Sequence, residues 1–146
     1  MKILFVCTGN MCRSPAAGKL LELYGAGTGF EGRSRGTAVQ PYCRIPAPVE
    51  SFLKRAGVGD TAHKPSLVAE EDINWADLIL VMEGAHAEIL ADKFPQSARK
   101  TQKFLDYCGP GGDLRDPMGK GGEVFERTLN QIQEGIKKLI SGRLAG

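Results

Sequence analysis

Two short apolar runs without polar interruption mark the chain, Ile3-Leu4-Phe5-Val6 and Leu78-Ile79-Leu80-Val81-Met82. A run that does not alternate suits a strand buried on both faces, as in a parallel sheet, so each predicts an interior strand. After the first, a polar turn leads to Ser14-Pro15, which predicts an N-cap followed by proline at the first helical position. Ala16, Ala17, Leu20, Leu21 and Tyr24 then keep helical spacing until Gly25 and Gly27. After the second, a helix is predicted from Gly84 to Phe94, closed by Pro95.

Weaker patterns fill the rest. A second strand is expected near Phe30 to Ser34 and a helix over Ala47 to Ala56, with Val49, Phe52, Leu53 and Ala56 on one face before Gly57. A short strand is expected around Lys100 to Phe104. The stretch Cys108 to Gly122 holds six glycines and two prolines and predicts a long loop. From Gly122 to Ser141, Val124, Phe125, Thr128, Leu129, Ile132, Ile136, Leu139 and Ile140 form one apolar stripe, with Lys137, Lys138 and Arg143 near its C-terminal end. Alternating strands and helices predict an α/β fold with a central, roughly four-stranded, mostly parallel sheet flanked by helices on both faces. At 146 residues the chain suits one domain, residues 1–146.

Composition narrows the function classes. Hydrophobic residues make up 42% and charged residues 25%, a globular balance with no charged run that would mark a disordered tail. The net charge of +2 supplies no field that argues for nucleic acid or membrane binding. The first apolar run is too short for a signal peptide, and no stretch reaches membrane-spanning length, so a cytoplasmic protein is expected. The four cysteines, Cys7, Cys12, Cys43 and Cys108, are too sparse for a disulfide scaffold and lack the paired spacing of structural zinc. No metal and no cofactor are expected, and a reactive thiol becomes the chemistry to test.

The segment Cys7-Thr8-Gly9-Asn10-Met11-Cys12-Arg13-Ser14-Pro15 joins a buried strand to a helix start, where ligands of α/β sheets bind. Successive amides of such a loop form an anion nest, and the helix adds its positive end. Thr8 to Ser14 are therefore the candidate phosphate-binding residues. Cys7 lies at the floor, where the same groups favour thiolate and make it the candidate nucleophile. Arg13 offers a planar fork for two phosphoryl oxygens, which lysine cannot match. Ser14 is placed to cap the helix or to hydrogen-bond the sulfur. Gly9 lets backbone approach the ligand, and Asn10 tolerates the left-handed conformation a tight nest needs.

This loop resembles that of the low-molecular-weight protein tyrosine phosphatases. Ser34-Arg35-Gly36-Thr37 resembles the family's segment after its second strand, Asp77 to Met82 resembles its third strand, and Asp113-Leu114-Arg115-Asp116-Pro117 resembles its late Asp-Pro loop. The resemblance implies hydrolysis of phosphate monoesters through a cysteinyl phosphate on Cys7, with Arg13 holding the phosphoryl group and Asp116 as general acid, then base. It implies a network of Asn10, Ser14, Ser34 and His63 that shapes the loop, and a reversible disulfide between Cys7 and Cys12. A small buried side chain is the plainer reading of Cys12. His86 has no counterpart and is read as structural, and Cys43 and Cys108 are read as plain thiols. The implied partners are a phosphorylated protein, small phosphate monoesters and free oxyanions.

Four features depart from the family. Met118-Gly119 stands where an aromatic wall usually follows Asp-Pro, Gly18 replaces a helix glutamate, His63 lacks the arginine usual just after it, and Tyr42 alone stands in for a second aromatic wall. Met11 occupies a position where relatives acting on phosphoarginine carry threonine, which favours phosphotyrosine. The other readings are a phosphoarginine phosphatase, a thiol-linked arsenate reductase served by Cys43 and Cys108, and a non-catalytic phosphate-binding module.

Overall fold

The computed structural model describes residues 1–145, and side chains through 142, so the Arg143 side chain lies outside the described residues. Four strands, β1 (Lys2–Cys7), β2 (Glu31–Gly36), β3 (Leu78–Val81) and β4 (Thr101–Lys103), form one sheet in the order β2-β1-β3-β4. All three pairings are parallel. The helices are α1 (Arg13–Tyr24), α2 (Ala47–Ala56), α3 (Glu70–Trp75), α4 (Gly84–Lys93), α5 (Phe104–Cys108) and α6 (Gly122–Ala145), with a 3-10 turn at Pro95–Lys100.

The two apolar runs form the central strands because each buries both faces. Ile3 and Phe5 join Leu80, Leu20, Leu21, Phe104, Leu129, Ile132 and Ile136 in one core. Leu4 and Val6 join Ile79, Val81, Ile73 and Leu90 in the other. The α/β class and the helices on both faces are thus as the pattern predicts. Strand order changes direction at β1, which opens a crevice at the C-terminal ends of β1 and β3.

The pattern missed α3, α5 and the 3-10 turn. Only Ile73 and Trp75 of α3 are large and apolar; tertiary contacts hold it. The register sets Arg33 and Arg35 beside Leu4 and Val6, on the α3 side of the sheet. Both guanidiniums reach the Asp72 carboxylate, at 3.1 and 3.2 Å, and Arg33 stacks over Trp75 at 4.3 Å. Arginines in a polar strand thus do the work that apolar spacing does elsewhere.

Candidate active site

The loop after β1 is shaped by where its carbonyls go. The Cys7 carbonyl accepts from the Thr37 amide and the Thr8 carbonyl from the Ala38 amide, each at 2.9 Å. The Asn10 carbonyl accepts from His63 Nε2 at 2.8 Å. In a trans peptide the following N–H points opposite its carbonyl, so the amides of Thr8, Gly9 and Met11 turn inward. Among the described residues, no amide from Thr8 to Ser14 donates a hydrogen bond. Asn10 takes φ of 55°, the single positive value at a non-glycine residue among those described, and makes the sharp turn that this inversion requires.

Cys7 lies at the bottom, 2% exposed, with its sulfur 2.9 Å from Ser14 Oγ. Ser14 is not the N-cap. The helix begins at Arg13, the cap position falls to Cys12 without a side-chain bond, and Ser14 turns its hydroxyl to the sulfur. Asn10 Nδ2 donates to that hydroxyl at 2.8 Å, and the hydroxyl reaches the Arg35 carbonyl at 3.3 Å. Asn10 Oδ1 accepts from the Ser66 amide at 2.9 Å. Asn10, Ser14 and His63 thus form the supporting network, but Ser34 does not join it. Its hydroxyl makes no hydrogen bond to the loop among the described residues, and its carbonyl accepts from Arg35 Nη1 instead. Ser34 faces α1 near Gly18, and Asn10 Oδ1 takes its bond from the Ser66 main chain.

Arg13 is buried at 2% exposure, and Nη1 donates to Glu83 Oε2 at 2.6 Å and to the Leu114 carbonyl at 2.8 Å. Nη2 faces Asp116 Oδ2 at 3.9 Å. The Gly-rich loop reaches the crevice because its Leu114 amide donates to the Met82 carbonyl at 2.8 Å and Asp113 Oδ1 accepts from the Gly84 amide at 3.0 Å. That Gly84 bond, then Lys103, holds the Asp113 carboxyl below its usual range. Asp116 stays half-exposed, its Oδ1 accepting from the Met118 amide at 3.0 Å. The structure thus brings Cys7, Arg13 and Asp116 to one mouth.

Sequence reasoning missed Glu83 and left His86 as merely structural. Glu83 lies two residues past the end of β3, where the α/β rule puts ligand-facing residues, and that position was the available signal. His86 is buried at 2% exposure. Its Nε2 lies 2.8 Å from Thr8 Oγ1, and its Nδ1 accepts from the Glu83 amide at 3.1 Å. Cys12 is buried, and burial, then the nearby Cys7, push its thiol up to about 12. Cys43 leans on the loop: a methyl added to Gly9 would lie 3.7 Å from its sulfur. Cys108 sits in the packing of α5 on α6, its thiol pushed up to about 12 by burial. Among the described residues no group is arranged to hold a metal ion and no helix is long and apolar enough to cross a membrane.

Burial, then the Arg13 charge, push His86 down to about 4, against Glu83, Asp113 and Asp116. Burial also lowers His63, helped by Lys19 and Arg35 and opposed by its bond to Asn10. Below the ordinary value of 6.5 the unfolded chain binds a proton that folded His86 refuses until about pH 4. Stability therefore falls as pH drops through that window, by on the order of 3 kcal/mol from this residue. Urea unfolding at pH 7 and pH 4.5 should show the loss, and His86→Asn should flatten the slope; equal slopes would contradict the assignment.

Comparison with known proteins agrees with this geometry. A family model described as low molecular weight phosphotyrosine protein phosphatase matches residues 2–145. The protein-arginine-phosphatase of Geobacillus stearothermophilus is 34% identical over 139 residues, covering 94% of this chain and 93% of that one. The low molecular weight protein-tyrosine-phosphatase PtpB of Staphylococcus haemolyticus is 32% identical over 140 residues, covering 95% and 97%. The solved structure of YwlE arginine phosphatase from Geobacillus stearothermophilus matches with a TM-score of 0.90 at 32% identity, over 99% of this chain and 93% of that chain.

Proposed function

The chain belongs to the low molecular weight phosphotyrosine protein phosphatase family, and from that premise we propose that it hydrolyses phosphorylated arginine in proteins through a cysteinyl-phosphate intermediate on Cys7. The observation that carries the chemistry is the set of loop amides without partners around the Cys7 sulfur. A phosphoryl group seated on them is attacked in line by the thiolate while Arg13 follows its oxygens into the transition state. Asp116 protonates the departing atom, then accepts a proton from the water that cleaves the P–S bond. The Ser14 hydroxyl stabilises the sulfur as it leaves.

Phosphoarginine is preferred here to the phosphotyrosine that Met11 suggested. The mouth holds the Glu83 and Asp116 carboxylates beside Arg13 and carries half-exposed Met118 where the family has an aromatic wall. A departing guanidine, charged once protonated, suits an acidic rim, and a phenol loses its stacking partner. Relatives named as arginine phosphatases at 34% and 33% identity support the same choice. Phosphotyrosine remains the second reading, favoured by Met11 and by the relatives named as tyrosine phosphatases. Cys12 is proposed as the redox partner: peroxide converts Cys7 to a sulfenic acid, and the Cys12 sulfur displaces water to form the disulfide.

Peptides carrying phosphoarginine, phosphotyrosine and phosphoserine decide the substrate. The expected order of kcat/KM is arginine, tyrosine, serine; a tyrosine peptide turned over faster than the arginine peptide refutes the preference. In the same panel Asp116→Asn should cost about 10²–10³-fold on peptides but clearly less on p-nitrophenyl phosphate, whose leaving group departs readily unprotonated. An equal loss on all substrates would remove Asp116 from proton transfer.

A further inference from the structure

The His86 ring and the Thr8 side chain take no part in the cysteine chemistry above, yet they are joined by a hydrogen bond at the start of the loop, directly after Cys7. A neutral imidazole has one donor and one acceptor nitrogen. His86 Nδ1 already accepts from the Glu83 amide at 3.1 Å, so Nε2 carries the proton and donates it to Thr8 Oγ1 at 2.8 Å. The ring is buried and stays neutral well below pH 6, so this tautomer persists over the working range. A buried donor thus occupies one lone pair of the Thr8 hydroxyl. The hydroxyl's own proton has no acceptor among the described residues, and Thr8 is exposed, directly after Cys7.

Thr8 and Arg13, near the two ends of the loop, are anchored to the same turn. Glu83 Oε2 lies 2.6 Å from Arg13 Nη1 and 4.0 Å from His86 Nε2, which reaches Thr8. The hydroxyl and the guanidinium are therefore both tied to the turn that carries Glu83 and His86. We propose that Thr8 is a binding residue whose hydroxyl donates to a phosphoryl oxygen of the substrate, and that His86 is the positioning residue that aims it. The inference rests on the phosphatase reading of the loop and adds a side-chain donor to its ring of amides.

Inorganic phosphate is the probe, as a competitive inhibitor of p-nitrophenyl phosphate hydrolysis. Thr8→Val should raise the phosphate Ki about fivefold, the loss expected for one hydrogen bond, and Thr8→Ser should restore it. His86→Leu should raise Ki about as much, and Thr8→Val combined with His86→Leu should be no worse than Thr8→Val alone. Nitrogen-15 spectra should show His86 as the Nε2–H tautomer. The proposal is overturned by a Thr8→Val Ki within twofold of wild type, by losses that multiply in the double variant, or by the Nδ1–H tautomer. If His86→Leu does not fold, Thr8→Val against Thr8→Ser still decides. Failure of the underlying reading looks different: wild type would hydrolyse no phosphate monoester, and phosphate would not protect Cys7 from iodoacetate.

Discussion

Replacing Cys7 by serine is expected to abolish turnover, lowering kcat by at least about 10⁴-fold, while the fold and the phosphate site survive. The fold survives because the change is nearly isosteric at a position 2% exposed, and Ser14 Oγ at 2.9 Å remains a partner for the new hydroxyl. Phosphate binding survives because the loop amides and the Arg13 guanidinium supply it. Turnover fails because a serine hydroxyl in this nest has no base beside it: the groups around it are N–H and O–H donors, and the rings of His63 and His86 are bonded elsewhere. Circular dichroism and phosphate protection against thermal unfolding should match wild type. Retention of a tenth or more of wild-type activity would exclude nucleophilic catalysis by Cys7 and require another nucleophile.

The two parts of this molecule differ in how far the sequence discloses them. Strands β1 and β3 and helices α1, α4 and α6 were legible because each buries apolar residues at the spacing of its own geometry. Helix α3 was not, since the Arg33–Asp72–Arg35 contacts that hold it are long-range and leave no periodic trace. The loop residues from Cys7 to Ser14 were legible because local chain chemistry makes a nest: Gly9, the left-handed Asn10 and the helix start are neighbours in sequence. What aims Arg13 was hidden. Glu83 and the Leu114 carbonyl come from positions 70 and 101 residues away, and only folding brings them to the guanidinium. Ser34 shows the reverse error: a residue expected in the loop's hydrogen-bond network faces Gly18, while the Ser66 amide, which the sequence does not single out, bonds Asn10.

Those distant contacts make Arg13→Lys the informative second substitution, with an expected fall in kcat/KM of about 10³-fold that appears mainly in kcat. In the resting site Nη1 is committed to Glu83 and to the Leu114 carbonyl, and Nη2 faces Asp116 and is left for the substrate. The rigid fork therefore spans the fixed wall and the moving phosphoryl group at once. A lysine ammonium satisfies Glu83 but, as a single point charge, cannot keep that anchor and also follow two oxygens as negative charge spreads over them. Binding of inorganic phosphate, which samples no transition state, should weaken by only about tenfold. Arg13→Ala is the poorer test, because it strands the Glu83 carboxylate without its partner and costs stability as well. A loss of equal size in phosphate Ki and in kcat/KM would reduce Arg13 to a ground-state anchor, and a loss under tenfold in both would remove it from the chemistry.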